Sequence, residues 1–151
     1  MEREKVREYV DKYCELRDIQ FAAYELYARK HGLTAKELFV LDIIWFAPEG
    51  CLQSVICERL SATKQTVSAI IKKFLKLGYL SLHEAENDRR NKVVRLTDAG
   101  IKYIKQIIPP AAKAEIDAMC ELSENDIAEL VRITTLFSNQ MKYKFNEIKK
   151  E

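Results

Sequence analysis

Apolar residues recur along most of this chain at steps of three and four, the spacing of one helical face, and the interruptions mark where helices stop. Val6, Tyr9, Val10, Tyr13, Leu16, Tyr24 and Tyr27 line one side of a long predicted helix over residues 6–30, with charges between them. His31-Gly32-Leu33 interrupts it. Thr34, with Glu37 three residues on, has the capping-box arrangement that starts a second helix, whose stripe is Leu38, Leu41, Ile44 and Trp45. Pro48-Glu49-Gly50 ends that helix. A third is expected from about Leu52 to Leu60, with Leu52, Val55, Ile56 and Leu60 inward. After the tight Ser61-Ala62-Thr63 connection, Thr63 caps a fourth helix over residues 64–77.

The period then changes. Leu80-Ser81-Leu82-His83 and residues 92–96 alternate at period two and read as an antiparallel hairpin following Gly78. Thr97, with Asp98 behind it, caps a fifth helix that runs to Pro109-Pro110, where the missing backbone donors predict a bend near Ile108 before it resumes through Ala111 to Met119. Ser123 and Asp126 form a box-like start for a last helix over residues 124–148, with the stripe Ile127, Leu130, Val131, Thr134, Phe137, Met141 and Phe145. An apolar stripe on a terminal helix has to be covered, and a second copy of the chain is the expected cover. The fold class expected is mainly α with one small β-hairpin.

Composition changes this picture little, and charge changes it more. A chain of 151 residues with 48% hydrophobic content suits one domain or two small lobes. Apolar runs are too short to span a membrane, the N-terminus Met1-Glu2-Arg3-Glu4-Lys5 lacks a signal-peptide core, and the expectation is a cytoplasmic protein with no membrane partner. Net charges are −3 over residues 1–58, +6 over 59–96 and −1 over 97–151, which together make the overall +2. A basic centre between acidic arms is the footprint of a nucleic-acid module set in a larger scaffold.

That basic centre coincides with two short helices joined by a three-residue turn, a helix-turn-helix signature. At 100° per residue Val67, Ile70, Ile71, Phe74 and Leu77 gather on one side of the fourth helix, while Gln65, Ala69, Lys72 and Lys76 point the opposite way, flanked by Thr66, Ser68 and Lys73. Gln, Ser, Thr and Lys suit base edges, and Lys72, Lys73 and Lys76 are placed to reach phosphates. A solvated surface helix would show the same lysines. The run Asn87-Asp88-Arg89-Arg90-Asn91-Lys92-Val93-Val94-Arg95-Leu96-Thr97-Asp98-Ala99-Gly100 argues against that plainer reading: a charged turn in which Asp88 can brace an arginine leads into a strand and a helix start.

The order Asp-x-Arg, strand, Leu-Thr-x-x-Gly resembles the wing of the MarR/SlyA family of bacterial transcription regulators, and the similarity spans nearly the whole chain. It implies a winged helix-turn-helix over residues 34–100, with N- and C-terminal dimerisation helices in 1–33 and 101–151. It further implies a homodimer on double-stranded DNA, a repressor rather than an enzyme, at a pseudo-palindrome with half-sites about one helical turn apart. Helix 64–77 would enter the major groove and Arg90 the adjacent minor groove, positioned by Asp88. The DNA-contacting set is then Thr63, Lys64, Gln65, Thr66, Ser68, Lys72, Lys73, Asp88, Arg89, Arg90 and Lys92. Leu52 departs from the family, which often has a Ser or Thr cap there, and Pro109-Pro110 bears on the spacing of the lobes.

The family also implies release of DNA by a small phenolic or amphipathic effector. Tyr24, His31, Trp45 and Phe46 are the candidate lining, although all four serve equally as core. Some members sense peroxide through a cysteine on the first helix, which here is Cys14, but Tyr13-Cys14-Glu15-Leu16 departs from the sensor pattern. The four cysteines have no C-x-x-C pairing and few histidines beside them, so neither a metal site nor a cofactor is expected. No nucleophile, base and orienter cluster in the sequence, which leaves no catalytic residues to name. The competing reading is a winged-helix protein-interaction module that turns helix 64–77 on an acidic protein.

Overall fold

The computed structural model describes residues 2–148, with the side chains of Arg89 and Asn91 outside the described set. Its elements are α1 (Arg3–Lys30), α2 (Ala35–Trp45), β1 (Cys51–Leu52), α3 (Gln53–Leu60), α4 (Lys64–Lys76), β2 (Leu80–Ala85), β3 (Asp88–Leu96), α5 (Asp98–Ile104), α6 (Ile108–Cys120) and α7 (Glu124–Glu147). Two compact units divide the chain, Met1–Ala111 and Ala112–Glu151. The mainly α class with a small antiparallel sheet is as expected.

In the first unit α2 is the centre rather than one more amphipathic helix. Its Leu38, Val40, Leu41, Ile43 and Ile44 are all buried, so apolar side chains surround it almost completely. Packed with it are Ala28 of α1, Ile56 of α3, Val67, Ile71 and Phe74 of α4, Leu80 and Val94 of the sheet, and Ile104, Ile107 and Ile108. Each such large side chain removed from water contributes roughly 1.5–3 kcal/mol before entropy is counted. The expected capping box is formed: the Thr34 hydroxyl accepts from the Glu37 amide at 3.2 Å, and the Glu37 carboxylate accepts from the Thr34 amide at 3.0 Å.

The sheet has three strands in the order β1-β3-β2, one more than the expected hairpin. Cys51 and Leu52 pair antiparallel with Val94 and Val93, and a two-residue strand is too short to carry a periodic signal. Gly50, at φ +106°, leads into it, where a Cβ would fall 2.4 Å from Val93 Cγ1. Helix α3 therefore starts at Gln53, with Leu52 as an N-cap that offers no side-chain bond. Val55, expected inward, is exposed, and so is Leu77, because α4 ends at Lys76 and Leu77 is its C-cap.

The helix expected to bend near Ile108 is instead two helices. Helix α5 stops at Ile104, and Ile108 opens a new one in which Pro109 and Pro110 occupy the first turn. Amides there have no intrahelical acceptor, so two residues lacking N–H forfeit no hydrogen bond and their fixed φ favours the start. The second unit, from Ala112, holds the rest of α6 and α7, capped by Ser123 through the Asp126 amide at 3.2 Å. Among the described residues α7 buries none, and Leu130, Val131, Leu136 and Phe145 are all exposed.

Candidate nucleic-acid interface

Helices α3 and α4 are joined by Ser61, at φ +46°, Ala62 and Thr63. The Thr63 hydroxyl accepts from the Thr66 amide at 3.2 Å and lies 2.9 Å from the Thr66 hydroxyl. Both threonines expected at DNA therefore also build the first turn of α4. Its inner face is Val67, Ile70, Ile71 and Phe74, all buried. Outside, Lys64, Gln65, Ser68, Ala69 and Lys72 line a shallow groove of about 370 Å³, floored by the small Ala69. The expected two-faced helix is thus present, with its polar positions on the open side.

Lys73 stands apart from that set. Its ammonium donates to Glu37 Oε1 at 2.7 Å and lies 5.5 Å from the centroid of Phe74. The expectation that it reaches outward, as Lys72 does, meets a side chain already turned onto α2.

The wing carries an irregularity that periodicity does not reveal. Register runs Leu80↔Leu96 to Glu84↔Lys92 and then jumps to Ala85↔Asp88, so residues 89–91 of β3 have nothing opposite on β2. A bulge of this kind bends a strand and re-aims what it carries. Among the described residues Asp88 is bonded to backbone, not to the Arg90 side chain, whereas the sequence suggests that it braces an arginine. Its Oδ1 accepts from the backbone amide of Arg90 at 2.9 Å, which fixes the chain where the exposed Arg90 side chain leaves it. Lys92 reaches back across the hairpin to Glu84 at 3.4 Å, an exposed pair that holds it weakly. Arg89, also in the expected set, has its side chain outside the described residues.

The wing is tied to its lobe by the Leu-Thr-x-x-Gly stretch. Thr97 accepts from the Gly100 amide at 3.0 Å and donates to the Gly78 carbonyl at 2.6 Å, while its own amide donates to the Tyr79 carbonyl at 3.1 Å. A Cβ on Gly100 would lie 2.0 Å from that same Tyr79 oxygen. Tyr79 and Tyr103 stack at 4.3 Å, and burial, reinforced by Tyr79, pushes the Tyr103 phenol up. Arg95 donates to the Glu49 carbonyl at 3.0 Å, a brace between sheet and α2–β1 loop that no sequence pattern signals, since the partners are distant in the chain.

The four aromatic candidates for an effector site have different surroundings. Tyr24 packs edge-on against Phe39 at 5.1 Å, His31 lies 4.9 Å from Tyr27, and Phe46 is exposed. Trp45 lines a cavity of about 230 Å³, with Ile44, Ala47, Pro48, Leu96 and Ile101 rather than the other three. Cys14 is half-buried and, like Cys51, Cys57 and Cys120, is a free thiol; burial pushes the Cys51 thiol up.

Three helices closed by a hairpin, with a polar helix face beside the hairpin, define a winged helix-turn-helix protein. The family model described as MarR family matches residues 31–91, from the turn after α1 into the wing. YkoM, an uncharacterized HTH-type transcriptional regulator of Bacillus subtilis (strain 168), is 28% identical over 104 residues, spanning 69% of this chain and 67% of that protein. Among solved structures, NMB1585, a MarR family regulator from Neisseria meningitidis, superposes with a TM-score of 0.78 at 20% identity over 93% of this chain and 99% of that one. MepR of S. aureus, solved as a DNA complex, gives 0.69 at 20% identity over 84% and 97%. The segment from residue 31 to 91 thus matches the MarR family model, and the whole fold is similar to that of solved MarR family regulators.

Proposed function

We propose that this chain is a sequence-specific regulator of transcription that acts as a homodimeric repressor on double-stranded DNA. The observation that carries this reading is the open polar face of α4, Lys64, Gln65, Ser68, Ala69 and Lys72, in the same lobe as the bulged arginine segment of the wing. A helix with that face suits a major groove, where Gln pairs with adenine and Lys with guanine, and Arg90 suits the neighbouring minor groove. Thr63 and Thr66 add hydroxyls at the helix start, and Lys92 and Arg89 add wing charge. The exposed apolar residues of α1 and α7 support dimerisation through residues 1–33 and 101–151, which would place two lobes on half-sites about one turn apart. Release by a small amphipathic ligand fits the apolar cavity beside Trp45.

The test is a titration of labelled DNA from upstream of the protein's own gene, and of a scrambled duplex, at two salt concentrations. Selective binding that weakens steeply with salt is expected, because lysines and arginines release counterions from phosphates. Arg90→Ala should cost roughly 1–3 kcal/mol per lobe, the worth of one base contact, while far-UV circular dichroism stays unchanged. Equal, weak binding of both duplexes, repeated with duplexes selected from a random pool, would favour the protein-interaction reading.

A further inference from the structure

Lys72 and Lys73 are neighbours in sequence with different surroundings. At 100° per residue Lys72 lies about 20° from Gln65 around the α4 axis, whereas Lys73 lies about 80° away, on the flank beside α2. Its ammonium is 2.7 Å from Glu37 Oε1, and that carboxylate is nearly enclosed, its side chain only 12% exposed. The other carboxylate oxygen is held by the Thr34 amide at 3.0 Å. One residue on, the Ala35 amide donates to Glu25 of α1 at 3.0 Å. Charge-assisted bonds therefore run from α1 through the first turn of α2 to α4.

The rest of the α4 seat is Val67, Ile70, Ile71 and Phe74, and apolar contacts resist separation far better than they resist rotation, because burial is non-directional. A short bond between opposite charges has a preferred direction. We propose that Lys73 is a positioning residue, whose bond to Glu37 sets the rotation of α4 about its own axis and hence which side chains reach the bases, and that it neutralises no phosphate. This rests on the DNA-binding reading above.

The two roles predict opposite signs for one substitution. Glu37→Gln keeps a carbonyl oxygen to cap the Thr34 amide, but removes the charge that holds Lys73. If Lys73 were a phosphate ligand, removing a nearby carboxylate and freeing the ammonium would tighten DNA binding. As a positioning pair, the loss of Glu37 lowers discrimination between sequences instead.

The experiment measures the affinity of wild type, Glu37→Gln, Lys73→Met, the double variant and Lys72→Met for two duplexes across a salt series. One duplex is the tightest recovered from a random-sequence pool, and the other is its scrambled counterpart. Thermal melts accompany each variant, and Lys73→Met decides alone if Glu37→Gln fails to fold. Lys72→Met should flatten the slope of log affinity against log salt by about 0.9 for each phosphate left without its cation. Lys73→Met and Glu37→Gln should each leave that slope at the wild-type value while lowering selectivity by about tenfold, the scale of one misplaced base contact per lobe. The double variant should lose no more selectivity than either single one. A flatter slope for Lys73→Met, or tighter binding by Glu37→Gln, would overturn the positioning role and leave the regulator reading intact. Wild-type binding without sequence preference would overturn both.

Discussion

A single hydroxyl, that of Thr97, links the end of the hairpin to the start of α5 by donating to Gly78 and accepting from Gly100. The motif Leu-Thr-x-x-Gly is thereby explained atom by atom: leucine enters the sheet, threonine caps, and glycine leaves room for the Tyr79 carbonyl. Gly100 has an ordinary helical conformation, so its requirement is one of space alone. Gly100→Ala would push a methyl to 2.0 Å from a backbone oxygen that cannot swing aside. We expect a loss of at least about 3 kcal/mol, the upper end of overpacking costs, seen as a lowered thermal midpoint. An unchanged midpoint would show that α5 is free to withdraw from Tyr79.

Among the elements, the two prolines of α6 offer the sharpest check. In a helix interior each would cost about 3 kcal/mol, whereas in the first turn neither displaces a hydrogen bond. Pro110→Ala is accordingly expected to change stability by less than about 1 kcal/mol in denaturant titration. A gain near 3 kcal/mol would place it inside a continuous helix instead. The sequence is less legible at this same place, for it predicts a bend near Ile108, where one helix has already stopped at Ile104 and another begins. Helix caps at Thr34, Thr63, Thr97 and Ser123 are legible because cap and partner lie within three residues of each other. The pair Lys73–Glu37, 36 residues apart, is not, because only the packing of α4 on α2 brings it together. Strand β1 escapes for want of length, and the wing bulge because periodicity assumes one residue opposite another.

At the scale of the whole molecule, α7 is the feature that asks for a partner. None of its described residues is buried, and its exposed Leu130, Val131, Leu136 and Phe145 would make an isolated chain poorly soluble. The wild-type protein is expected to sediment as a dimer at micromolar concentration, and Leu130→Glu combined with Val131→Glu to shift it to monomer. A monomeric wild type would remove the basis for two-lobed DNA recognition.

The gap in register at the wing tip has a consequence for how such a protein can change. Because residues 89–91 have no counterpart on β2, the chain there can be lengthened, shortened or recoded without moving the pairs from Leu80↔Leu96 to Glu84↔Lys92 that keep the hairpin in place. Variation at the tip is insulated from the scaffold. A library randomised over those three positions should return mostly folded proteins with altered DNA preferences, which makes the tip an adjustable part of a regulator whose frame stays constant.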